Sequence, residues 1–131
     1  MAALRLGIIW ALWHVLIILW VWPQFRSSNL ALQLGGGLIW CAALVPYRIL
    51  MSWAYVNTKS SLLIGIIMHA FYDATLAALT AAIIAPVQIV QFYAALNVML
   101  WIFVAAVVVV FGAKTMTRPK PQVPAVKMQP V

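Results

Sequence analysis

The sequence predicts an all-α, polytopic membrane protein, a bundle of about four transmembrane helices followed by a short polar tail. Three observations predict this class. Apolar residues make up 67% of the 131 residues, charged residues make up only 7%, and the few charges separate long uncharged runs. An ordinary soluble domain has about 25% charged residues, so this composition excludes one. The high apolar content also excludes a disordered chain.

The first predicted span lies between two arginines. A membrane-spanning helix needs about 20 mostly apolar residues, and the run between Arg5 and Arg26 has that length. We expect a helix over about 6–22 that ends before Pro23, because proline lacks the N–H that continues a helix. No small-residue cleavage site follows the run, so we do not expect it to be a removed signal peptide.

Three more spans follow. The second run, about 30–56, contains three consecutive glycines, Pro46 and Arg48, so we expect it to be tilted, kinked or partly broken. The stretch 60–113 is too long for one span and suits two, with a break near Pro86. The predicted transmembrane domain, 1–112, therefore has spans at about 6–22, 30–56, 61–82 and 89–112, and a basic, proline-rich disordered tail occupies 113–131.

The basic residues predict the orientation. Four spans place both termini on one side of the membrane. Six basic residues then share that side, and only Arg26 lies opposite; the six are Arg5, Lys59, Lys114, Arg118, Lys120 and Lys127. Because basic residues are retained on the cytoplasmic side, we expect a multi-pass protein of the cell membrane with both termini in the cytoplasm.

The charge and the cysteine content exclude several classes of function. The net charge of +7 is spread between apolar runs rather than clustered on one face, so we expect membrane lipid and not nucleic acid as a partner. Asp73 is the only acidic residue, which excludes an enzyme that draws two carboxylates from this chain. The single Cys41 excludes an internal disulfide and leaves the redox compartment undetermined.

Four ionisable residues lie inside the predicted spans, where they are costly and often mark function. At 1.5 Å of rise per residue, His14 lies about 14 Å from Arg5, and His69 and Arg48 lie about 15 and 16 Å from Lys59. Asp73 lies one helical turn deeper than His69. Three spans therefore bring polar side chains to nearly one depth.

The spacing of His69 and Asp73 places both side chains on one helix face. They are a possible pair of metal ligands, and His14 from another helix would make a third, with water in the fourth position. Histidine and carboxylate ligands alone do not distinguish zinc from other metals. A structural alternative stays open, in which His69 and Asp73 form a buried hydrogen-bonded pair, Trp10 only packs, and Arg48 snorkels to the interface or neutralises Asp73.

Two short motifs resemble those of a known family. The segment Trp10-Ala-Leu-Trp13-His14 resembles the second motif of the CPBP intramembrane metalloproteases, the CAAX-processing and bacteriocin-processing type. The segment His69-Ala-Phe-Tyr-Asp73 resembles their third motif, and 57–62 resembles the turn before that helix. The resemblance covers about 1–80, with the motifs in the family's order.

The resemblance implies a catalytic, metal-centred site near the cytoplasmic side. His14, His69 and Asp73 would be its catalytic residues and its ligands, zinc the expected divalent metal, and Trp10 and Arg48 supporting residues. It also implies endopeptidase activity on a peptide or a prenylated protein.

One part of the family pattern is missing. The first motif is a Glu-Glu pair followed by an arginine, on a helix before the second motif, and this sequence has no glutamate. We therefore expect the chain alone to be inactive or weakly active. Either it is a fragment or mis-started product of a longer gene, or it is a genuine short protein that keeps the histidine half-site without the base. A Glu-Glu helix restored upstream, or supplied by a partner chain, should then restore cleavage.

Three other functions stay open. A non-catalytic membrane interaction protein, a pseudoprotease, would bind a client or a full-length protease. A proton or cation pathway would use His14, His69, Asp73 and Arg48, although the sequence shows no inverted repeat. A haem protein would use the two histidines as axial ligands.

Overall fold

Four α-helices account for most of the chain. A computed structural model describes residues 2–20, 29–82 and 85–117, and these ranges contain no strand. The helices are α1 (Ala2–Trp20), α2 (Leu30–Asn57), α3 (Leu62–Ala81) and α4 (Pro86–Phe111). This confirms the predicted all-α class.

Three helices, α2, α3 and α4, are long and apolar enough to cross a membrane, and the side chains described on α1 form a shorter apolar stretch, Ala2–Val15. The protein is therefore a membrane protein by the length and composition of its helices. The predicted end of the first span at Pro23 and most of the predicted tail lie outside the described residues.

The helix ends follow local sequence signals. Asn29 precedes α2 and its side-chain oxygen accepts hydrogen bonds from the N–H groups of Ala31 and Leu32, at 3.0 and 3.3 Å. Pro86 opens α4, where its missing N–H removes no helical bond. Gly112 ends α4 with φ of 79° and ψ of 148°, a conformation almost restricted to glycine.

Helix α2 is the centre of the bundle. It packs along α1 and α4 and less extensively against α3. It runs unbroken through the three glycines and Pro46, although partial breakage was expected there. Trp40 and Leu44 on α2 and Tyr93 on α4 are almost completely buried. The core joins all four helices; its members are Ala11, Trp40, Cys41, Leu44, Tyr72, Leu76, Ile89 and Tyr93.

A glycine sets the spacing between α1 and α2. A Cβ atom at Gly7 would lie 3.1 Å from the carbonyl oxygen of Val45 and 3.4 Å from the Cβ of Arg48. Small residues allow helix backbones to approach closely in membranes. Gly7 therefore holds α1 against the part of α2 that carries Arg48.

The α2–α3 turn and the end of α4 lie together. Lys59 and Ser60 in the turn have positive φ values of 54° and 59°. The Asn57 amide donates to the carbonyl oxygens of Trp53 and Met116, both at 2.8 Å. This second bond fixes the segment after α4 to the end of α2.

Candidate functional site

His14 is oriented by its own helix. Its Nδ1 lies 2.7 Å from the carbonyl oxygen of Trp10, one turn earlier on α1. Because a carbonyl oxygen only accepts hydrogen bonds, Nδ1 carries a proton and donates; in the neutral ring Nε2 is then the acceptor nitrogen. A bond of this kind also orients histidines that bind metals through their other nitrogen.

Three tryptophans surround the His14 ring. The indoles of Trp10 and Trp13 lie 5.0 Å from it between centroids, both nearly perpendicular, and Trp40 of α2 lies at 5.5 Å. Edge-to-face geometry at these distances is favourable for aromatic rings. The His14 ring is thus held by α1 and α2 together.

His69 and Asp73 form an exposed pair on α3. The His69 Nε2 and the Asp73 Oδ2 lie 3.1 Å apart, as the predicted helix face requires. Their side chains are 43% and 49% exposed at the surface of the bundle. The pair is therefore not the buried pair of the structural alternative.

Trp10 connects the two predicted motifs. Its indole, already in contact with His14, also lies 5.4 Å from the His69 ring between centroids, at an interplanar angle of 52°. A residue of the 10–14 segment on α1 thus contacts the histidine of the 69–73 segment on α3. The two motifs lie at one place in the fold.

Arg48 lies on the other side of His69. Both residues line a cleft of about 450 Å³ between α2 and α3, whose other walls are mostly apolar. Within the described residues, the Asp73 carboxylate has one close nitrogen partner, the His69 Nε2 at 3.1 Å, and Arg48 forms no direct salt bridge with Asp73. The guanidinium places a positive charge in a cleft that leads to His69.

The three predicted ligands do not form one cluster. Among the described residues, no group of three or more His, Cys, Asp or Glu side chains is placed to hold a metal ion. His69 and Asp73 bond to each other, and the Trp10 indole lies against both imidazoles. The donor types suit zinc, but this arrangement does not fit a three-ligand site.

Sequence analysis missed two tyrosines that position α3. The Tyr47 hydroxyl on α2 donates to the carbonyl oxygen of Met68 at 2.6 Å, next to His69. The Tyr47 and Tyr72 rings stack with centroids 4.1 Å apart and planes 20° apart. The sequence signal available for these tyrosines was their position: Tyr47 directly precedes Arg48, and Tyr72 directly precedes Asp73. Both contacts hold the His69 face at a fixed rotation relative to α2.

Comparisons with known proteins found no relative of this chain. No protein-family model matches the chain, and no curated protein or solved structure matches it. The function must therefore be argued from the motifs and their geometry.

Proposed function

We propose that the chain is the histidine-bearing part of a CPBP-type membrane endopeptidase domain, and that it needs a glutamate helix to hydrolyse peptides. The contact of Trp10 with both His14 and His69 supports this most directly. The two motifs are 55 positions apart between their histidines, yet their side chains meet at one aromatic ring. Two unrelated histidines placed by chance would not be expected to contact the same aromatic ring.

The exposure of the α3 pair supports a missing helix. Almost half of each side chain of His69 and Asp73 lies on the outer surface of the bundle. Polar side chains within the membrane normally face a protein interior or a water-filled cavity, because hydrocarbon does not solvate them. A further helix, in the same product or in a partner chain, would cover them and is where the Glu-Glu motif would lie.

The single carboxylate argues against activity of this chain alone. Peptide hydrolysis gains about 10²–10⁴-fold from a group that takes and returns a proton. Asp73 is the only acidic side chain, and its Oδ2 lies 3.1 Å from the His69 Nε2. The chain would orient a reacting group through His14 and His69, and the added glutamate would act as the base.

The substrate and the metal are also proposals. A peptide or a prenylated protein would enter from the α2–α3 cleft, whose apolar walls and Arg48 suit an apolar chain with an anionic group. The expected zinc would need His14, His69 and Asp73 to converge more closely than they do here.

Complementation tests the enzyme function. The chain is fused behind a transmembrane helix that carries Glu-Glu-x-x-x-Arg, reconstituted in lipid with Zn²⁺, and assayed on membrane-anchored peptides. We expect cleavage by the fusion, loss with His14→Ala or His69→Ala, and loss when both glutamates become glutamine. Trp53→Phe is the matched aromatic control, because its ring contacts Phe111 and lies outside the two histidine motifs, and it should keep activity. A correctly inserted fusion that binds zinc but cleaves no peptide would contradict the proposal.

The non-catalytic alternative rests on the same exposed pair. A pseudoprotease would use the His69–Asp73 surface to hold a client helix without cutting it. Photo-crosslinkers at Phe71, which is 72% exposed on α3, would then trap a full-length partner. Recovery of that partner intact, together with failure of the complementation assay, would favour this alternative.

We also propose that both termini are cytoplasmic. Residues from the start of α1, Ala3 and Leu4, line one groove together with Lys114 and Met116, so the two described ends lie at one end of the bundle. The bond from Asn57 to Met116 places Lys59 near the same end. Single cysteines at Ala3 and Thr117 in a Cys41→Ser background should be protected from an impermeant thiol reagent in intact cells. Labelling of either without lysis would reverse the orientation.

A further inference from the structure

A groove separate from the histidine site lies between α1, α2 and α4. It has a volume of about 590 Å³ and is lined mainly by apolar side chains, among them Leu4, Ile49, Trp101 and Val104. Ile49 and Val104 are buried where they line it, and the Trp101 side chain is 43% exposed. None of its lining residues belongs to the two histidine motifs.

A fixed cation stands at the mouth of this groove. Lys114 lines it just after α4 ends at Phe111. Its segment is held in place, because the Met116 N–H donates to the Gly112 carbonyl at 3.2 Å and the Met116 carbonyl accepts from Asn57. Lys114 is therefore presented by a structured turn that is tied to α2.

No acidic side chain is available to Lys114. Asp73 is the single acid of the sequence, and it is paired with His69 on α3. The same end of the bundle carries Lys59 and the start of α1, next to Arg5. A concentration of positive charge without carboxylates attracts an anion from outside the chain.

The apolar length of the groove suits part of one lipid chain. Its lining on α4 runs from Trp101 to Val108, a rise of about 10 Å, which is about a third of a hydrocarbon core about 30 Å thick. In a bilayer that α4 crosses as far as Phe111, Lys114 would lie near the level of the lipid phosphates. An apolar groove that also has a lysine in its lining matches an acyl chain below an anionic headgroup.

We propose that this groove binds a single anionic phospholipid, with its phosphate at Lys114 and one acyl chain along Trp101 and Val104. The inference does not depend on the proposed peptidase function, since the two sites share no residue. It assigns a bound lipid to a position that the sequence alone marked only as the start of a polar tail.

Lipid retention by the full chain tests the inference. The protein is purified in mild detergent, incubated with phosphatidylglycerol or phosphatidylcholine of equal chain length, and the bound lipid is counted by native mass spectrometry. We expect one phosphatidylglycerol to be retained in preference to phosphatidylcholine. Lys114→Gln should weaken that retention about fivefold, as expected for one basic residue near an anionic headgroup.

Matched variants separate this site from general attraction. Lys59→Gln removes the same charge at the same end of the bundle but does not line the groove, so it should lower retention much less than Lys114→Gln does. Lys114→Arg should restore it. Circular dichroism and gel filtration confirm folding of each variant. Equal losses in Lys114→Gln and Lys59→Gln, or equal retention of both lipids, would overturn the inference. Full competition by millimolar inorganic phosphate would also overturn it, because the groove would then recognise a free anion and not a lipid.

Discussion

The Trp10 indole and the His69 imidazole lie 5.4 Å apart between centroids and join α1 to α3 beside the candidate site. Helix α3 otherwise packs less extensively against the bundle than α1 or α4 does. The same indole holds His14 at 5.0 Å. Trp10 thus contacts both histidines. It also helps to hold α3, the helix that packs least extensively against the rest of the bundle.

Trp10→Ala should therefore loosen α3. We expect a loss of about 1–2 kcal/mol in the free energy of unfolding, since each aromatic pair contributes about 0.5–1.5 kcal/mol beyond its buried area. Hydrogen exchange in α3 should become faster, and the measurement is exchange mass spectrometry in lipid discs. Trp10→Phe should recover most of the protection. Unchanged α3 exchange in Trp10→Ala would show that Trp10 does not hold the helix.

Gly7→Leu should separate α1 from α2. Even a Cβ at this position would meet the Val45 carbonyl oxygen at 3.1 Å, so a larger side chain forces the helices apart. We expect a loss of about 1–3 kcal/mol, typical of overpacking. Gly65→Leu is the matched control, because nothing lies within 4 Å of a Cβ there. Thermal unfolding in detergent measures both, and equal stability of the two variants would contradict the close approach.

Tyr47→Phe isolates one hydrogen bond. It removes the donor to Met68 and keeps the ring that stacks on Tyr72. Hydrogen bonds between membrane helices average about 0.6 kcal/mol, so we expect a loss of about 0.5–1 kcal/mol. Tyr55→Phe removes a hydroxyl from the same helix as a control. A loss in Tyr55→Phe as large as that in Tyr47→Phe would argue against a specific role of the Met68 bond.

Asn57→Ala should release the segment after α4. The Asn57 amide is the donor to Met116, and without it the turn that contains Lys114 loses its tie to α2. We expect faster tryptic cleavage after Lys114 in lipid discs, by about threefold or more, since one net hydrogen bond contributes about 1 kcal/mol. Thr58→Ala is the control, because its hydroxyl bonds only to carbonyls of its own helix. Equal cleavage rates in Asn57→Ala and Thr58→Ala would show that the hydrogen bond from Asn57 to Met116 does not hold this segment.

The helices could be predicted from sequence because charge and length determine them. The third and fourth spans were expected at 61–82 and 89–112 and are found at Leu62–Ala81 and Pro86–Phe111. The early start of α4 follows from Pro86, which is favoured at the first position of a helix. In a membrane, an uncharged run of sufficient length leaves few alternatives to a helix.

The site could be predicted only in part. The His69–Asp73 pair follows from helical spacing within one span and needs no knowledge of the neighbours. The contacts made by Trp10 and Tyr47 depend on which helices are adjacent and on their rotation. These helices are apolar on most of their surface, so no polar stripe in the sequence specifies that rotation. The triple glycine and Pro46 also gave no sign that α2 would be continuous.

The central position of α2 has a consequence for the order of assembly. Its partner α1 is the preceding helix, whereas its partner α4 follows only after α3. Contacts between neighbouring segments form sooner, because closing a longer loop costs more entropy. We expect the α1–α2 hairpin to associate during synthesis, so that His14 meets Trp40 before α3 has entered the bilayer. Docking of α4 then completes folding, and chains stopped before α4 would expose the apolar side of α2 to chaperones and membrane proteases.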